Sequence, residues 1–379
     1  MKDKKLSFAG VVVTVVLCMV VAVFALALVP SSPALKLEYT GALEEFRAGD
    51  ATAWSLLTLD TGLVDAWEEP IPLSVTGYGL CIAIGGVLAL LVMALMCPAG
   101  AEKGAATAVL SGLFALLMGH WMYCAVRWGY IVNDLAGDWS FPVQFWQGGY
   151  TMYGAILGAL LGGVIAWKMT GMRLPQVLDM VIVGALLVMV AGRAGEMFTS
   201  QGMANTRAAE ALRMLPFTGV NEWDDPVMKV WIYEAIAAAA ALIAGVVLLA
   251  RRAPAGRVAE VGLAIISAWQ LIFESMRGDE LIRFGFVCLN MIAAAAVLAF
   301  ILVTRIVRRV RRGGWKAWET LRIVLFALGV GVVIVVEFAL DGKIRMFGGD
   351  NTALYVLDVL AVVALMLSVA IADGRKEAA

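Results

Sequence analysis

The hydrophobic and polar positions of this chain alternate in long blocks rather than with the short period of a soluble helix or strand. Ten apolar runs, each about 18 to 24 residues long, are separated by polar segments. A helix needs roughly 20 apolar residues to cross the hydrocarbon core of a membrane. The runs predict transmembrane helices at about 6–29, 73–96, 104–126, 149–167, 174–194, 230–250, 258–276, 284–303, 320–340 and 353–372.

The fourth and fifth runs carry the strongest signs of a polar site. Gly154, Gly158 and Gly162 recur every four residues and share one helix face, which allows another helix to approach closely in lipid. The fifth run ends in Arg193, between two glycines. An arginine there is costly unless it snorkels, pairs or lines a wet cavity. We interpret these two helices as the wall of a polar site.

The first run resembles a signal peptide, because the basic segment MKDKK precedes it. The run 6–29 is longer than the apolar core of a signal peptide, which spans about 7–15 residues. We therefore predict a retained first span.

The polar segment that follows the fifth run shows helical character at 206–214.

The basic residues predict the orientation of the spans. If the N-terminus is cytoplasmic, the inner loops collect most of the cations, including the arginine-rich run 305–316 and the basic residues of both termini. The loop 30–72 falls outside and is acidic. Ten spans place both termini in the cytoplasm, in agreement with their basic character.

The composition agrees with a membrane protein and excludes several functions. The chain is 62% hydrophobic and 16% charged, whereas soluble domains are about 25% charged. A net charge of −1 indicates no large basic surface for nucleic acid. The five cysteines form no CxxC pair, and there is one histidine, so we expect no disulfide framework, metal site or cofactor.

The polar residues concentrate in the seven middle spans, within 71–305. Arg193 is suited either to binding a lipid phosphate through its fork of donors or to snorkelling toward headgroups. We expect Arg193 to pair with Glu274 or Glu196, because an unpaired charge in an apolar wall is costly. Glu274 alternatively pairs with Arg277 or lies in interfacial water. Glu234 begins a helix, where a carboxylate also complements the helix dipole.

Three further side chains have competing interpretations. His120 is either a base or a packed, hydrogen-bonded core residue. Tyr78 and Tyr153 either donate to a phosphate or ester oxygen or are ordinary interfacial tyrosines. In the last two spans, Glu337 and Asp358 are candidates for pairing with each other.

Five segments carry a resemblance to a known family. They are PIPLSVTGYGL, FWQGGYTMYGAILG, AGRAGEMFTSQG, YEAI and WQLIFESMRGDE. In this order and spacing they resemble the prolipoprotein diacylglyceryl transferase family over about 70–305. The family has seven spans with its N-terminus outside, so one extra span before it and two after it would place both termini inside.

The resemblance is incomplete at the positions that matter for chemistry. Tyr153 stands where the family has a histidine, Glu196 where it has an asparagine, and Gln270 and His120 where it has arginines. The positions that keep the family residue are Tyr78, Gly149, Gly154, Arg193, Glu274 and Arg277.

The resemblance implies transfer of the diacylglyceryl group of phosphatidylglycerol to a cysteine thiol of a lipoprotein precursor, with glycerol phosphate leaving. A cation must stabilise that phosphate, and a base must form the thiolate. The catalytic candidates are Arg193, Glu274, Glu196 and His120, with the base open among the last three. The substrate-binding candidates are Tyr78, Gly149, Tyr153, Gly154, Glu234, Gln270 and Arg277.

The sequence therefore predicts an all-α polytopic protein of a bacterial inner membrane, with a transferase-like core at 70–305. Residues 1–69 would add a helix and an acidic outer loop, and 306–379 a basic linker and two helices. Its expected partners are phosphatidylglycerol or another anionic phospholipid, and a precursor peptide. The alternative function is a non-catalytic lipid-binding or scaffold protein, and a transporter is a third candidate.

Overall fold

The computed structural model describes residues 8–31, 55–64, 70–133, 139–143, 150–198, 202–220, 224–278, 283–284, 287–344, 346 and 351–370. Within these ranges, eight helices are long and apolar enough to cross a membrane. Two further apolar helices lie at the first and last predicted spans. The prediction of an all-α, multi-pass membrane protein is confirmed.

Each predicted span coincides with a helix, and one short helix lies between the third and fourth spans. The helices are α1 (Phe8–Ser31), α2 (Gly77–Met96), α3 (Ala101–Val126), α4 (Trp128–Asn133), α5 (Met152–Thr170), α6 (Leu174–Gly195), α7 (Val230–Ala250), α8 (Arg257–Met276), α9 (Leu289–Gly313), α10 (Ala317–Leu340) and α11 (Asn351–Ala370).

Short antiparallel strands join several of the helices. They are β1 (Ser55–Val64) paired with β2 (Pro70–Thr76), β3 (Met203–Arg207), β4 (Thr218–Val220) and β5 (Pro226–Lys229) in the order β3-β5-β4, and β6 (Arg283–Phe284) paired with β7 (Val287–Cys288). The prediction of helical structure at 206–214 is wrong in part. Arg207 pairs with Val227 across β3 and β5, and only a single 3₁₀ turn, Glu210–Leu212, follows.

The eighth span differs most from its prediction. It was expected at 284–303, whereas α9 begins at Leu289 and continues to Gly313. The first predicted residues instead form β6 and β7. The helix extends through its arginines because arginine is a good helix former whose charge can reach the membrane surface.

The described residues form two compact units. The first is drawn from Met1–Gly262 with Arg277–Glu280, and the second from Leu263–Met276 with Leu281–Ala379. The boundary between the units therefore falls within α8.

In the first unit, glycines allow α3 and α5 to pack closely. A methyl group at Gly162 would lie 2.6 Å from the carbonyl oxygen of Leu110, and one at Gly158 would overlap that of Phe114. The predicted glycine face therefore contacts another helix. On α6, Asp179 accepts hydrogen bonds of 2.7 Å from the backbone N–H groups of Gly256 and Ala259. This carboxylate satisfies donors at the start of α8.

In the second unit, a buried arginine ties α10 to the end of α11. Arg322 donates to the carbonyl oxygens of Ser368 at 2.7 Å and Val369 at 3.3 Å, and pairs with Glu319 at 3.2 Å. Arg309 of α9 also pairs with Glu319, at 2.9 Å. The last carbonyl groups of a helix lack partners within it, so these bonds complete the end of α11.

Candidate functional site

The site is built around the end of α6. Arg193 lies in the last turn of α6, and Glu196 begins the 3₁₀ turn that follows. The spacing of three residues brings the two side chains together, and the Arg193 Nη1 atom donates to Glu196 Oε1. The predicted pairing of Arg193 with Glu196 or Glu274 is confirmed through Glu196.

Glu234 and Arg277 complete a ring of four charges. Glu234 lies in the first turns of α7, and Arg277 directly follows α8. The Oε2 atom of Glu234 lies 3.4 Å from Arg193 Nε and also accepts from Arg277 Nη1. Arg277 Nη1 lies 3.3 Å from Glu196 Oε2. We call Arg193, Glu196, Glu234 and Arg277 the ionic ring, and its two positive charges balance its two negative ones.

Backbone contacts around β3 hold the ring in place. Ala204 forms a β-bridge with Arg277, and the N–H of Gly278 donates to Met203 at 2.8 Å. Gly202 has a φ of 73°, which favours glycine. A methyl group there would also overlap the Glu196 carboxylate. Glycine is therefore required at 202 both for the turn and for the approach of the carboxylate.

The ring has two features that suit it to a ligand. The Arg193 side chain is 17% exposed, whereas the other three members are nearly buried. The Oε1 atom of Glu234 is buried and has no hydrogen-bond partner among the described residues. A buried polar atom without a partner is costly, so this oxygen marks a place where a ligand's donor would be stabilised.

The other predicted carboxylate, Glu274, lies in a different polar cluster. In the second unit it accepts hydrogen bonds from the amide groups of Gln270 and Asn290, the latter at 2.8 Å. Both Gln270 and Glu274 are buried. Glu274 thus binds Gln270, the residue that stands where the resembled family has an arginine.

His120 is fully buried in α3. Its Nε2 atom lies 3.0 Å from the carbonyl oxygen of Phe141, and its ring contacts Phe141 and Tyr150. This setting favours the interpretation of a packed core residue.

Burial, and to a lesser extent Cys124, raises the pKa of Tyr150 to about 12, so the Tyr150 hydroxyl stays protonated at neutral pH.

The remaining predicted residues lie at the starts of α2 and α5. Tyr78 packs against the end of α6, where a methyl group at Gly195 would lie 3.1 Å from its ring. Tyr153 is buried, and the Gly154 N–H donates to the Thr151 hydroxyl at 3.2 Å, capping α5. Gly149 lies outside the described residues.

Two contacts of the candidate residues involve side chains that the sequence did not single out. The Sδ atom of Met152 lies 3.9 Å from Arg193 Nη2, and Asn290 binds Glu274. A methionine in an apolar run gives no signal of a site, whereas an asparagine at the start of a span is itself a polar outlier. No group of three or more metal-ligating side chains occurs within the described ranges.

The structure combines apolar membrane-crossing helices with an ionic ring at the ends of α6, α7 and α8. This combination defines a polytopic α-helical membrane protein with a polar site. Residues 66–307 match the prolipoprotein diacylglyceryl transferase family, and the chain belongs to that family. The resemblance inferred from the five sequence segments is confirmed.

Several relatives that share one name align with part of this chain. Proteins named phosphatidylglycerol–prolipoprotein diacylglyceryl transferase from Mycobacterium tuberculosis and Mycobacterium bovis are 29% identical over 133 residues, covering 34% of this chain and 28% of theirs. One from Staphylococcus aureus is 28% identical over 142 residues, covering 35% of this chain and 50% of its own. The chain thus spans half or less of the length of these relatives.

Proposed function

We propose that this protein transfers the diacylglyceryl group of phosphatidylglycerol to the cysteine thiol of a lipoprotein precursor in a bacterial inner membrane. Family membership and the names of the relatives support this reaction. The observation that carries the proposal is the ionic ring, which holds two arginines among apolar helices, one of them partly exposed. Such arginines suit a phosphate leaving group.

Arg193 is the residue that we assign to the phosphate. It lies in the AGRAGE segment that resembles the family signature, and it is the most exposed member of the ring. A guanidinium binds two phosphate oxygens in parallel. An incoming phosphate would exchange places with a carboxylate on Arg193, while Arg277 keeps its bonds to Glu196 and Glu234.

Glu234 is the residue that we assign to the thiol proton. Both oxygens of Glu196 already accept from guanidinium groups, whereas Oε1 of Glu234 has no hydrogen-bond partner in the part of the chain that the structure describes. In the proposed step, the S–H proton moves to this oxygen and the sulfur forms a bond to the glycerol carbon. The bond between that carbon and the phosphate oxygen breaks, and glycerol phosphate leaves with the electron pair.

The other sequence candidates stay proposals with smaller roles. Glu196 balances the arginine charges, and Tyr78 shapes the approach to Arg193. His120 and Glu274 remain alternative bases, and both are buried among bonded neighbours. Family correspondence alone supports the substrate-binding positions Gly149, Tyr153, Gly154 and Gln270.

We propose the domain division and orientation predicted from the sequence, with a core at 70–305 flanked by 1–69 and 306–379 and with both termini cytoplasmic. The basic end of α9 supports this orientation. An impermeant thiol reagent should then fail to label a cysteine at position 310 in intact cells, in a variant without other cysteines. Labelling there would contradict the orientation.

The second candidate function is a lipid-binding scaffold that retains the fold without catalysis. The charge balance of the ionic ring favours it over catalysis, because both arginines are already paired with carboxylates and the ring has no excess positive charge to stabilise a departing phosphate. Substitution at the family positions of Tyr153, Glu196 and Gln270 favours it as well.

Complementation separates the two functions. In a bacterial strain depleted of its own transferase, the wild-type chain should restore growth and lipoprotein modification, and Arg193→Ala should not. Gly112→Ala is the matched control, because nothing lies within 4 Å of the added methyl group. If wild-type chain and control accumulate in the membrane without rescue, the scaffold function is favoured instead.

A further inference from the structure

Two carboxyl groups outside the ionic ring lie buried between α10 and α11. Glu337 is 6% exposed, and Asp358 is 0% exposed. The residues that precede them, Val336 and Leu357, pack in one apolar cluster. The two carboxyl groups therefore lie at the same level of the helix pair.

Asp358 lacks the partners that a buried carboxylate needs. Both of its carboxyl oxygens are buried, and neither has a hydrogen-bond partner among the described residues. An isolated ionised carboxylate in an apolar setting is far more costly than the neutral acid. Two neighbouring carboxylates add mutual repulsion. The cost falls when a proton lies between them.

Other titratable groups also lie on these elements. They are Arg305, Arg308, Arg309, Arg311 and Arg312 on α9, Glu319 and Arg322 on α10, Asp341 and Lys343 in the turn, and Tyr355 on α11. Arg305 donates to the carbonyl of Val369, roughly 16 Å along the helix from Asp358. Lys343 pairs with Asp341 at 3.2 Å. Arg305 and Lys343 thus have other partners, and Glu337 is the carboxyl group at the level of Asp358 on the neighbouring helix.

We propose that Glu337 and Asp358 form a proton-binding site, in which one carboxyl group donates a proton to the carboxylate of the other. A proton fits this pair better than a metal ion does. No group of three metal-ligating side chains occurs among the residues that the structure describes, whereas Ca²⁺ takes about 6–8 oxygen ligands. Both residues lie beyond the family match at 66–307, so the site does not depend on the proposed transfer.

Infrared difference spectroscopy of the full chain in lipid nanodiscs tests the site directly. The wild type at neutral pH should show a carbonyl stretch of a protonated carboxyl group that is lost in Glu337→Gln/Asp358→Asn. The single variants should shift this band, which keeps the test valid if the double variant folds poorly. Glu319→Gln is the control, because Glu319 is equally buried but paired with two arginines, and it should leave the band unchanged.

Two further measurements distinguish a bound proton from a bound cation. Raising the pH should abolish the band and lower the unfolding temperature of the wild type, but not of the double variant, because deprotonation leaves two facing carboxylates. Identical spectra of wild type and double variant at neutral pH would overturn the proposal. Loss of the band on adding Na⁺ at constant pH would also overturn it, in favour of a cation site.

Discussion

Two buried arginine–carboxylate clusters among the described residues differ in how completely their polar atoms are used. Arg322 is 1% exposed, and all three of its guanidinium nitrogens donate, to Glu319 and to the carbonyls of Ser368 and Val369. Arg193 is 17% exposed, and among the described residues its Nη2 atom contacts only the thioether of Met152. In the same ring, one oxygen of Glu234 has no hydrogen-bond partner within the described ranges.

This difference separates a structural cluster from a binding one. A saturated cluster has no atom left for a ligand, so its bonds serve the packing of α10 against α11. An incompletely bonded cluster keeps polar atoms that a ligand can satisfy, at a cost in stability before the ligand arrives. The ionic ring belongs to the second kind, and the cluster around Arg322 to the first.

The largest expected effect follows from removing the unoccupied carboxylate oxygen. Glu234→Gln keeps the side-chain shape but removes the proton acceptor. Loss of a general base lowers the rate by about 10²–10⁴-fold. The loss should appear in kcat of the purified protein with little change in KM, and Glu210→Gln, an exposed carboxylate, should leave both unchanged. An effect confined to KM would assign Glu234 to binding instead.

Arg193 should rank next. Its contribution grows with the charge on the departing phosphate, so Arg193→Ala should lower the rate by about 10²–10³-fold. Arg193→Lys keeps the charge but loses the paired donors, so it should retain part of the activity. Lipid binding, measured separately, should weaken much less because the acyl chains supply most of the contact. Equal losses in binding and rate would contradict this role.

The structural cluster should respond in stability rather than in activity. Arg322→Ala leaves the carbonyls of Ser368 and Val369 without their donor and Glu319 with fewer partners. Breaking a buried pair costs about 3–5 kcal/mol, and the retained Arg309 bond favours the lower end of that range. Denaturant unfolding in micelles measures it. Arg213→Ala, in an exposed pair, should cost much less, because solvent screens such pairs.

The smallest expected effect concerns the packing of α3 against α5. Gly158→Ala would overlap the Phe114 carbonyl and should cost about 1–3 kcal/mol. Gly112→Ala lies in open space and should be neutral or stabilising, since alanine favours helix. Thermal unfolding of the two variants makes the comparison, and equal unfolding temperatures would show that α3 and α5 do not pack through this face.

The sequence predicts the helices well because each apolar run carries its own signal. It also predicts that Arg193 pairs with a carboxylate, Glu274 or Glu196, because an unpaired charge in an apolar wall is costly. The partnership of Arg277 with Glu234 is different, because their helices meet only in the folded chain. The start of α9 was misplaced because the apolar residues of β6 and β7 extend the run without joining the helix.

The most direct test of the ionic ring as a transfer site is product formation by the purified protein. The full chain is incubated with phosphatidylglycerol and a precursor peptide containing the acceptor cysteine, and the peptide is examined by mass spectrometry. The wild type should give a peptide heavier by one diacylglyceryl group in thioether linkage, and Arg193→Ala should give about 10²-fold less. A wild-type protein that binds lipid but yields no thioether product with any of several anionic lipids would contradict the transferase account.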